Sequence, residues 1–204
     1  NKRMVSLPIP EPSSNNDDKI QYSDLKFESN KNYYQLMHEL GIEKIKIRGT
    51  DESFTPETKC HLDPDIYKKV ITRDKDWRPL FGQMKAASGH LLKQNVSVGD
   101  VFLFFGWFKE CEQINNKYRY KQNAKDLNVI FGYLQIEQII LTSENSEEIP
   151  RWAVYHPHVN KARINNKTNI IFISRDKLNW NSNMPGSATF NYNKSLVLTK
   201  ENMP

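Results

Sequence analysis

The chain has 204 residues, carries a formal net charge of +5, and is 38% hydrophobic and 11% aromatic. That is long enough for one sizeable core, and the aromatic share excludes a solvated, disordered chain. The two cysteines, Cys60 and Cys111, form no CxxC pair, which excludes a disulfide framework or zinc ribbon, and no run approaches the roughly 20 apolar residues of a membrane helix.

In chain order, residues 3–18 ("RMVSLPIPEPSSNNDD") read as an edge strand passing into a loop, because proline removes backbone donors. Asn30–Gly41 places Tyr33, Leu36, Met37 and Leu40 at helical spacing, with Gly41 as a stop. Residues 50–65 read as loop. Residues 63–71 ("DPDIYKKVI") suggest a short helix capped by Asp63, with Pro64 at its first position. A helix around Met84–Leu92 follows, weakened by Gly89. From Val98 the period becomes two. Residues 100–108, 128–141, 169–174, 186–190 and 195–199 read as strands, and the polar insert 111–127 as a hairpin arm. The fold class is therefore α+β: a curled, mostly antiparallel sheet or small barrel with N-terminal helices packed against it. A single domain over 1–204 is expected, in the cytoplasm and not in a membrane. No signal peptide is read at the start. Asn1 in place of Met leaves room for a missing N-terminal segment.

The run "GDVFLFFGWFKE" (99–110) carries four phenylalanines and Trp107. Alternation puts Phe102 and Phe104 on one face and Leu103, Phe105 and Trp107 on the other. One face fills the core. The other, equally apolar, is expected to be covered or to line a cleft, with Gly106 allowing close approach or marking a bulge. Trp107 either packs under the N-terminal helices or, with Phe105 and Tyr133, walls a pocket for a flat ring.

In "YHPHV" (155–159), His156 and His158 share a face if the segment is extended, and two imidazoles suit a metal, a phosphate or a base edge. "CHLDPDI" (60–66) adds His61 beside Asp63 and Asp65. It is a potential partner in a mixed His/carboxylate site, weighed against Asp63 as a plain helix cap. On balance no metal and no cofactor is assigned. "DWRPLFGQ" (76–83) offers Trp77, Arg78 and Gln83; Arg suits phosphate or guanine and Gln an adenine edge. In the arm, Lys117, Arg119 and Lys121 alternate with tyrosines and suit a nucleic-acid backbone. There is no HxE…PCxxC deaminase pattern, no Walker loop, no GxGxxG and no GxSxG.

"SLPIPE", "CHLDPDI", "WRPLFGQ", "HLLKQNVSVGDVFLFFGWF", "VIFGYLQI", "YHPHV" and "NIIFIS" occur in that order between Ser6 and Thr199. Together they resemble the nucleotide modification associated domain, type three. That resemblance implies an association with DNA base-modification systems of bacteria and phages. Members usually carry a glycine-rich segment ahead of the "SLPIP" strand, and none is found here. A narrower resemblance, over 96–141, is to the PUA-like superfamily with its EVE, YTH and ASCH domains, in which a Gly-Asp turn opens a hydrophobic strand and a Gly-containing strand returns beside it.

Three functions follow. The first is a module binding a modified or flipped nucleobase, with DNA or a modified nucleotide as partner. The second is an enzyme that synthesises, alters or removes a modified nucleotide through His61, His156, His158 and nearby Asp. The third is an interaction protein among the partner proteins of a modification system. The first ranks highest because no catalytic signature is present.

Overall fold

The structure is a computed structural model, which describes residues 2–12, 17, 19–47 and 49–199. Most of the loop expected to end at Asp18 lies outside the described residues.

The spine is one long strand, Asp126–Leu141, rich in β-branched and aromatic side chains. Its neighbours are sorted by the alternating direction of its backbone groups. Ile136 bonds to Gly99 and Asp100, whereas Gln135, one residue earlier, bonds to Gly186 and Arg175. The strand Val101–Lys109 therefore runs along one edge, from Lys109 opposite Asp126 to Val101 opposite Gln135. On the other edge lie Ser187–Thr189 and then Ile170–Ser174, which pairs in turn with Leu80–Gln83. All these pairings are antiparallel, and the sheet curls into a half-barrel in an α+β protein. A bulge between Ile130 and Gly132 bends the spine. Ile170–Ser174 is buried at every position, as a strand covered on both faces must be.

Phe104 is buried, and Phe102 and Phe108 are half-buried. Their rings meet Phe81, Phe131 and Phe172 at centroid distances of 4.9 to 6.2 Å. The opposite face departs from expectation. Leu103, Phe105 and Trp107 are 57, 62 and 74% exposed. Their strand lies at the sheet's edge and its outer face is open. Gly106 has ordinary clearance, and the bulge sits in the partner strand.

The N-terminal third builds its own core around Tyr22, Leu25, Phe54 and Val70. The helix Tyr33–Glu39 enters this core with Tyr33, Leu36 and Met37. Asn32 caps it in a reciprocal box with Gln35, both bonds being 2.9 Å. Gly41, at φ 82°, ends it: its N–H bonds to His38 and that of Ile42 to Met37. The second helix spans Ala86–Lys93 and a short third spans Lys161–Ile164.

Three local readings are corrected, and one strand is added. Residues 63–71 form no Asp63-capped helix; the Asp63–Pro64 bond is cis and only Lys68–Val70 is helical, in a single 3-10 turn. The region 50–65 is not all loop: Thr50–Ser53 pairs with Lys44–Ile47, and Cys60–His61 with Ile9–Pro10. Leu80–Gln83 is a strand that precedes the helix. At the C-terminal end, Lys194–Leu196 is a 3-10 turn, with Val197 alone bridging to Val129. The arm is a hairpin of Cys111–Ile114 and Lys117–Tyr120. Asn115 and Asn116, both at positive φ, make its two-residue turn.

Candidate functional site

His61, Asp63, His156 and His158 arrive from two loops and meet. His61 ends the short strand against Ile9–Pro10, and Asp63 follows two residues later. The "HPH" segment is not extended: Pro157–Val159 makes a 3-10 turn capped by His156, whose Nδ1 accepts the His158 N–H at 3.3 Å. That turn carries both imidazoles to the Asp63 carboxylate.

Asp63 Oδ1 accepts the Gly82 N–H at 2.9 Å and lies 3.2 Å from His156 Nε2. Asp63 Oδ2 lies 3.7 Å from His158 Nε2 and 3.9 Å from His61 Nε2. The far sides of two rings are anchored: His61 Nδ1 to Glu11 at 2.8 Å, and His158 Nδ1 to Asn169 at 2.6 Å. Arg163 also donates to Glu11, at 2.6 Å. Burial of Asp63 opposes ionisation, yet the close approach of His156 to Oδ1 and the electrostatic influence of His156, His158 and His61 outweigh it, so its carboxyl stays below the ordinary range. Burial dominates at His158 and lowers it to about 4.

Two concavities flank the cluster. Asp63 borders a cavity of about 200 Å³ whose wall includes Arg3, Tyr33, Tyr67, Phe131 and Phe190. His61 borders a more open groove of about 350 Å³ shared with Glu11 and Lys46.

The other candidates are distributed elsewhere. Trp77 is buried in a structural network. Its indole donates to Tyr155 Oη at 2.6 Å, Tyr155 donates to Asp65 at 2.6 Å, and Arg73 grips Asp65 with two nitrogens. Arg78 donates to the Glu137 carboxylate and the Ser174 carbonyl. Gln83 is half-buried opposite Ile170, one residue past Gly82. Tyr133 donates to the Pro185 carbonyl at 2.7 Å and packs on Phe190, a wall of the cavity. Phe105 and Trp107 lie on the open outer face. In the arm, Arg119 pairs with Glu112 and Lys121 with Glu110, while Lys117 is exposed. Tyr118 packs on Phe27, whose ring also carries Arg3, so the arm stands one ring from the cavity.

Sequence reasoning missed Glu11, Asn169 and Gly82 as supports of the cluster. A proline-rich edge, an Asn just ahead of a strand and a mid-strand Gly carry no signal of their own until pairing brings them together.

Beside the curled antiparallel sheet, three imidazoles thus converge on one buried carboxylate at the edge of a cavity with aromatic walls. The family model described as nucleotide modification associated domain 3 matches residues 1–204, and the chain belongs to that family. No curated protein and no solved structure matches the chain. Among the described residues, no helix is long and apolar enough to cross a membrane.

Proposed function

We propose that the chain recognises a single modified or flipped nucleobase in the cavity bordered by Asp63, within a cytoplasmic DNA base-modification or phage-defence system. The observation that carries this reading is the double membership of Asp63, in the cavity wall and in the histidine cluster. Aromatic walls from Tyr67, Phe131 and Phe190 suit the faces of a base, and Arg3, Asn191 and Asp63 suit its polar edge. The neighbouring arm, with Lys117 foremost, is the proposed phosphate contact. A PUA-like relationship is part of the same proposal, supported by the antiparallel return of "VIFGYLQI" along the "GDVFLFF" strand.

A second reading, an enzyme that alters or removes a modified nucleotide, is favoured by the convergence of His61, His156 and His158 on Asp63. Crowding four titratable groups together, three of them buried, is costly, and such clusters concentrate at functional sites.

Equilibrium titration with modified and plain mononucleotides and short single-stranded DNA tests base recognition. Phe190→Ala should weaken binding roughly 5- to 150-fold, the worth of one stacked base. A panel that does not bind, or an affinity indifferent to Phe190→Ala, contradicts the proposal.

A further inference from the structure

The protonation of the cluster follows from its outer partners. Glu11 offers only acceptor oxygens, so His61 Nδ1 at 2.8 Å is the donor. Asn169 Nδ2 donates to Thr142 Oγ1 and to the His158 carbonyl, which leaves its Oδ1 to accept from His158 Nδ1. Each neutral imidazole therefore turns a bare Nε2 lone pair inward. Both point at Asp63 Oδ2, at distances of 3.9 and 3.7 Å, too long for a hydrogen bond. Three electron-pair donors face one another with no proton between them. That arrangement repels itself unless a cation stands at its centre.

A second observation comes from His156. Its Nδ1 is an acceptor, so its Nε2 carries the proton. That nitrogen is fully buried and makes no well-aligned hydrogen bond, although Asp63 Oδ1 stands 3.2 Å away. The Gly82 N–H holds Oδ1, and Oδ2 is left to the two bare nitrogens.

We propose that His61, Asp63 and His158 bind one divalent transition-metal ion, through the two Nε2 atoms and a carboxylate oxygen. Their ligand atoms lie within 4.8 Å of one another. Donors about 2.1 Å from a tetrahedral ion stand about 3.4 Å apart, so the 3.7 and 3.9 Å separations from Asp63 Oδ2 need only a small contraction. Two imidazoles and one carboxylate suit zinc or ferrous iron and leave coordination positions for water or substrate. Glu11 and Asn169 are the outer partners that such histidines characteristically have. The groove at His61 gives the ion its entry.

The test uses the chelator-treated full chain, titrated with Zn2+ for affinity and Co2+ for its visible spectrum. One equivalent should bind and raise the unfolding temperature. Glu11→Gln should weaken binding roughly 10- to 100-fold, and His61→Ala and His158→Ala further still. The His61 side chain is partly exposed, so His61→Ala is the variant that keeps its fold, as checked by circular dichroism. If His158→Ala does not fold, His61→Ala alone decides. Failure of the wild-type chain to bind one equivalent, or wild-type affinity in folded His61→Ala, overturns the proposal. No nucleotide is present, so this outcome is independent of base recognition in the cavity.

Discussion

Gly82 lies directly beneath the His158 imidazole: a Cβ at Gly82 would stand 2.3 Å from the ring. Gly82 also donates its N–H to Asp63. One strand position thus sets the distance between a histidine and its carboxylate. Gly82→Ala should cost about 1–3 kcal/mol of stability, the usual penalty of overpacking, and should displace His158. Urea denaturation measures it, and wild-type stability would refute the tight fit.

The Asp65–Arg73–Tyr155–Trp77 network makes a separate prediction. Tyr155 Oη accepts from Trp77 and Arg73 and donates to Asp65. Tyr155→Phe removes all three contacts with little change in shape. Leaving buried polar groups unpaired costs about 1–3 kcal/mol each, so the variant should lose at least that much. A neutral result would mean that water replaces the hydroxyl.

Acid should loosen the His158 site. His158 titrates near 4 in the fold, against 6.5 ordinarily, and Asp63, His156, His61 and Asn169 surround it. The unfolded chain therefore takes up the proton first. This contribution is intact above about pH 6.5 and is lost as pH falls towards 4, on the order of 2 kcal/mol at about pH 5. Denaturation of the chelator-treated chain at neutral and mildly acid pH measures it. His158→Gln should flatten the dependence, and an unchanged slope would assign the loss to other groups.

Trp107→Ala should change stability by well under the roughly 3–5 kcal/mol of a buried tryptophan, because the ring is 74% exposed. Base binding should be unaffected, since Trp107 lies outside the cavity. A large loss of either, in thermal unfolding or nucleotide titration, would show that the outer face takes part in folding or binding.

The period-two runs after Val98 and the helical spacing of Tyr33, Leu36 and Met37 were legible because each element's own side chains decide them. The Asp63 segment was not. An Asp-Pro pair is a good helix start by local rules, and only the distant Gly82 and His156 recruit the carboxylate instead. His61, His156 and His158 were legible as candidates, but their convergence depends on pairings between distant parts of the chain, including Cys60–His61 with Ile9–Pro10. The aromatic strand misled for a related reason. Alternation divides its rings correctly between two faces, but it cannot tell an edge strand from a central one. The cavity is lined instead by Tyr67, Phe131 and Phe190, which come from three separate segments.

The proposed base lies in the cavity beside Asp63. A crystal structure of the chain with its tightest-binding nucleotide tests it most directly. The base ring should lie against Tyr67, Phe131 or Phe190, with a polar edge towards Asp63 or Arg3. A base stacked on Phe105 or Trp107 at the open face of the sheet, with the cavity empty, would contradict it.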